Sequence, residues 1–117
     1  MPSPQELRDR TKAFAVKIVR LYRQRPNRTD AQVLGRQLLR SGTGIRRIIV
    51  PPVERGPKQN GFAKIGIVVE EADETLFWLE MLIDCDIVPV CKMEALIKEG
   101  HELSAIFTAS RHTARSV

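Results

Sequence analysis

Five carboxylates fall within residues 70–80, namely Glu70, Glu71, Asp73, Glu74 and Glu80, and so dense a group is what a divalent metal or an acid–base pair would need. Helical bundles hold such metals with inward-projecting Glu-x-x-His pairs on facing helices. No histidine stands three residues after any of these carboxylates, and the two helices expected upstream bring only Glu6, Asp9 and Asp30. The cluster therefore reads as a solvated or intersubunit acidic face. Cys85 and Cys91, with Pro89 between them, could supply a thiol nucleophile or half of a zinc site. His101 and His112 stand alone, however, and neither a second cysteine pair nor a catalytic signature accompanies them. The plainer reading is two small apolar side chains near a helix end. The run from Gly56 through Lys58 to Gly61 lacks the Gly-Lys-Ser/Thr ending of a phosphate-cradling loop. These patterns point to no catalytic residue, no metal ligand and no cofactor, and hence to a protein that is not an enzyme.

Lysine and arginine are the remaining chemistry. Residues 1–60 carry 14 Lys/Arg against 4 Asp/Glu, and residues 61–117 carry 5 against 10, so the halves are +10 and −5. Cations that neutralise phosphates release counterions, which suits the basic half to RNA or DNA. On a helix of 3.6 residues per turn Arg10, Lys17 and Arg20 fall near one another, and Arg36 and Arg40 join them from the next helix as candidate nucleic-acid contacts. Only Tyr22 is at hand to stack on a base, so binding would be electrostatic and weakly selective. The rival reading is that basic and acidic helices attract each other, within one subunit or between subunits. The chain would then be a protein–protein interaction module with no nucleic-acid role.

Positioning these side chains requires rigid elements, and the apolar spacing predicts four helices. The first, about 4–25, carries Leu7, Phe14, Ile18 and Leu21 on one stripe, starts at Ser3-Pro4 and stops before Pro26. The second, about 30–47, follows Thr29 and Asp30, and is weakened beyond Ser41 by Gly42 and Gly44. Prolines at 51, 52 and 57 make an irregular loop of about 50–60. The third, about 61–85, has Ile65, Val69, Ala72, Leu76 and Leu79 in line, with Phe77, Trp78 and Met81 off that line as a candidate oligomer interface. The fourth, about 89–111, starts at Pro89. Short links between the first and second and between the third and fourth helices imply an all-α, antiparallel up-and-down four-helix bundle. At 117 residues it is expected to be one domain. No apolar run approaches the ~20 residues needed to cross a bilayer. With two cysteines and no basic-then-apolar leader, a cytoplasmic protein is expected.

Three blocks carry a family resemblance: Leu-Arg-Asp-Arg-Thr-Lys-Ala-Phe-Ala at 7–15, Gln-Leu-Leu-Arg-Ser-Gly-Thr at 37–43, and the run from Lys64 to Leu82 containing Val-Glu-Glu-Ala-Asp-Glu-Thr-Leu-Phe-Trp-Leu-Glu. They resemble the bacterial 23S ribosomal RNA intervening-sequence proteins. The resemblance implies an up-and-down bundle assembling with itself as a homopentamer. It also implies a distant kinship to the accessory variability protein of diversity-generating retroelements, which binds nucleic acid and a reverse transcriptase. It carries over no catalytic residues. Between Ile45 and Phe62 the chain departs from the family pattern. One coding string for residues 48–60 reads, one base earlier, as the family-like Asn-Tyr-Arg-Ala-Ala-Cys-Arg-Ala-Arg-Ser-Lys-Ala-Glu. Two compensating single-base shifts, near Arg46 and near Gly61, would account for the proline-rich segment.

Overall fold

The computed structural model describes residues 2–49 and 58–116, with side chains described for 2–46 and 65–113. The frame-shift reading of residues 48–60 therefore falls on a segment whose centre, 50–57, lies outside the described residues.

Helix α1 (Pro4–Arg23) begins where Ser3 accepts a hydrogen bond from the Glu6 N–H at 3.1 Å, while the Glu6 carboxylate accepts from the Ser3 N–H at 3.4 Å. That reciprocal cap satisfies donors the first turn cannot bond internally. The helix ends two residues before the expected 25. The N–H of Gln24 closes it on the Leu21 carbonyl and that of Arg25 on the Tyr22 carbonyl, and Pro26 biases Arg25 away from helical geometry.

Helix α2 (Thr29–Ile49) continues through both weakening glycines. The reason is packing: a Cβ at Gly42 would overlap Cδ1 of buried Ile18 in α1, so the missing side chain is the condition for the two helices to approach. Helix α3 (Lys58–Asp84) starts three residues earlier than expected, within the segment read as irregular. Proline opposes helix in the interior but is tolerated at a start, so Pro57 did not forbid this. The end of α3 is marked by Asp86 in the left-handed region (φ 57°), with Ile87 and Val88 donating to the Leu82 carbonyl. A 3-10 turn (Val90–Lys92) intervenes before α4 (Glu94–Ser116), so the last helix both begins and ends five residues later than the expected 89–111.

Paired side chains fix the directions. Ile18 lies against Gly42 and Tyr22 against Gly35, Arg40 bonds Glu74 and Gly44 lies against Glu71, Ser104 meets Asp73 and Gly100 meets Leu76. In each set one number rises as the other falls, so successive helices are antiparallel. Helix α1 also touches α4, less extensively than its other neighbour, and closes the bundle. The result is all-α, with four helices and no strand among the described residues, and measures 46 × 22 × 20 Å.

The core is aliphatic: Ile18, Leu38, Ile45, Leu79, Met93 and Leu103 are almost wholly buried, and Phe14 is the large aromatic among them. Two buried hydroxyls cross it without penalty. Thr75 lies 3.0 Å from Ser41 and 2.7 Å from the Glu71 carbonyl, and Ser41 also reaches the Leu38 carbonyl at 3.3 Å. No helix among the described residues is long and apolar enough to cross a membrane.

Candidate functional site

The five basic candidates do not form one surface. Arg10 is turned toward α4, where its guanidinium grips both oxygens of Glu99 at 2.6 and 3.0 Å and lies 3.6 Å from Glu102. That bidentate contact holds the Glu99 carboxyl below its ordinary value, against the opposing effect of partial burial, and raises Arg10 further. Arg40 is likewise engaged, at 2.8 Å from Glu74 and 3.7 Å from Glu71 on α3. Arg36 is exposed on α2 and has no ion pair among the described residues.

Lys17 and Arg20, by contrast, stay together. They line a groove of about 440 Å³ between α1 and the start of α4, over Leu21, Ala95 and Leu96, with Lys92 on the far wall. Arg20 also borders a second groove of about 370 Å³ between α1 and α2. Here Lys12, Arg20, Arg23 and Arg46 surround a floor of Ala15, Val16 and Val19, with Thr43 beside them. None of Lys12, Lys17, Arg20, Arg23 or Lys92 has an ion pair among the described residues. The Nε of Arg46 is buried and has no hydrogen-bond partner there. Tyr22 is not free to stack on a base: Arg25 sits 3.9 Å above its ring centroid, and Gly35 packs against its edge.

Lys12 and Arg23 were within reach of sequence reasoning, since they share a stripe with Val16 and Arg20 on α1. Lys92 and Arg46 were not, because only the docking of α4 and α2 on either side of α1 brings them there.

The acidic residues sit diagonally across the bundle. Glu70, Asp73, Glu74, Glu80 and Asp84 are exposed on α3, together with Phe77, which is 50% exposed, and Ile67. Trp78 meets Phe77 edge-on, their centroids 4.8 Å apart; Trp78 and Met81 are half-buried. The Trp78 indole N–H is buried without a hydrogen-bond partner among the described residues. Cys85 and Cys91, read as small apolar side chains at a helix end, are both free thiols exposed to solvent. Among the described residues no three His, Cys, Asp or Glu side chains converge as a metal site would require.

Among curated proteins none matches the chain. A crystal structure at 1.70 Å of a protein of unknown function from the S23 ribosomal protein family of Bacteroides thetaiotaomicron VPI-5482 superposes with a TM-score of 0.84. It is 28% identical, and the match covers 93% of this chain and 97% of that one. The sequence model of the 23S rRNA-intervening sequence proteins matches residues 5–109. With nearly its whole length so matched, and with four helices in the fold of that relative, the chain belongs to the 23S rRNA-intervening sequence protein family.

Proposed function

We propose that this chain is a non-enzymatic scaffold of the cytoplasm that assembles with copies of itself, in a ring of five as its resemblance to the family implies. The observation that carries this reading is the uncovered aromatic surface on α3. Phe77 leaves half its area in water although a filled core lies beneath it, and Trp78 and Met81 extend the patch. Burying one such side chain contributes roughly 1.5–3 kcal/mol, and a bundle that gains nothing from Phe77 within one copy gains it between copies. Light scattering on the purified protein tests this. A multiple of the 13.3 kDa chain mass is expected, and Phe77→Ser should reduce it; a monomer at every concentration overturns the reading.

A second reading is favoured by the unpaired cations of α1. Lys12, Lys17, Arg20, Arg23 and Lys92 fit the backbone of a nucleic acid, and the family's name mentions 23S rRNA. With Tyr22 engaged, no exposed aromatic accompanies them among the described residues, so binding would follow charge and not base sequence. Reversal of Lys17 and Arg20 to Glu separates the two readings. Loss of RNA and DNA binding with mass unchanged supports the nucleic-acid role, whereas loss of mass supports a purely self-associating module.

A further inference from the structure

On α3 the exposed residues Glu70, Asp73, Phe77, Glu80 and Asp84 follow at steps of three and four, so they form one stripe about 21 Å long. Phe77 stands at its centre and carboxylates on either side. None of these four carboxylates has an ion pair among the described residues. On α1 the cations Lys12, Arg20 and Arg23 extend over about 17 Å, with Val16 and Val19 as an apolar floor and Arg46 opposite. The two faces match in length and in pattern, and they are opposite in sign. Because α1 and α3 are diagonal in the bundle, the two faces are not neighbours within one copy.

We propose that the basic groove between α1 and α2 of one copy receives the acidic, Phe77-centred face of α3 of a second copy. This inference rests on the self-assembly proposed above and specifies the surfaces that make it. Phe77 seats on Val16 and Val19, and the flanking carboxylates reach Lys12, Arg20, Arg23 and Arg46. A phosphate backbone would use the cations but gain nothing from the apolar floor; an aromatic side chain set among carboxylates uses both. The contact is heterologous, so each copy donates one face and accepts on the other, and the chain of contacts ends only when a ring closes. Nucleic acid and a neighbouring copy would then compete for the same cations.

Charge reversal in the full chain tests the pairing. Arg20→Glu with Arg23→Glu makes both faces acidic, and Asp73→Arg with Glu80→Arg makes both basic. All four positions are exposed, and the helical circular dichroism signal verifies that each variant folds. Each alone should weaken assembly by roughly tenfold or more, since like charges brought together cost several kcal/mol. Mixing the two should restore complexes that contain both, detected by light scattering and by capture through a tag on one of them. A wild-type protein that is monomeric throughout sinks the self-assembly reading itself. A wild-type assembly whose mass neither reversal changes overturns this inference and leaves self-assembly standing. So does a pair of variants that dissociate but do not recombine. If the basic-face reversal abolishes binding of a nucleic-acid duplex at unchanged mass, that face serves a polyanion and the pairing is overturned as well.

Discussion

Two glycines in this chain predict opposite responses to the same substitution. At Gly42 a methyl group would enter the space of the Ile18 Cδ1 and crowd both Ile18 γ-carbons, and Ile18 is fully buried. Overpacking of this kind costs about 1–3 kcal/mol, which outweighs the ~1 kcal/mol that alanine gains in helix propensity. At Gly66 nothing lies within 4 Å of the added Cβ, so only the gain remains. Urea unfolding should show Gly42→Ala less stable and Gly66→Ala more stable than wild type. Ile18→Val, which removes the obstructing methyl, should recover part of the Gly42→Ala loss in a double-mutant cycle. Gly42 drew attention in the sequence only as a helix breaker. Its real role depends on a residue 24 positions away and could not be seen in local propensity.

Between elements, the α1–α4 contact is the least extensive of the four that close the bundle, and Arg10 with Glu99 is its polar clasp. The Glu99 carboxyl is held below its ordinary value of 4.5, first by the Arg10 hydrogen bonds and further by their charge. A lowered carboxylate stabilises the fold at pH values above its unfolded value, and that contribution disappears as pH falls through the lowered folded one. Glu99→Gln should therefore be less stable than wild type at pH 7 by up to about 1 kcal/mol, the range for a partly exposed pair. The difference should shrink as acidification proceeds below 4.5 and vanish when both states are protonated. Unfolding curves of the two proteins across that range measure it. Arg10 had been singled out as a nucleic-acid contact because its α1 spacing matched Lys17 and Arg20. Spacing on one helix does not reveal which cations face a neighbouring helix with carboxylates, and Arg10 and Arg40 both do.

At the scale of the whole molecule, the chain is divided by charge: the basic face of α1 and the acidic face of α3 lie on opposite sides. In the proposed assembly these complementary faces would steer encounter and fix orientation. Salt provides the measurement. If assembly uses these faces, raising ionic strength well beyond 0.15 M, where the screening length is about 8 Å, should lower the mass measured at a fixed protein concentration. An assembly held by Phe77, Trp78 and Met81 alone should be unaffected or strengthened.

Four apolar stripes at helical spacing, the proline and glycine punctuation between them, and the +10 and −5 division of charge were all present in the order of residues. They determined an all-α chain of four antiparallel helices, because helix periodicity and short links are local properties. The surplus of apolar residues around Phe77 was legible for the same reason, since a stripe too wide for one neighbour shows in the spacing of a single helix. What tertiary structure alone decided is which charges are spent inside the molecule. Glu99 claims Arg10 and Glu74 claims Arg40, while Lys92 and Arg46 come to flank Lys17, Arg20 and Arg23 from other helices. These are pairings between residues distant in sequence, and they exist only once the helices have packed and rotated their faces into register.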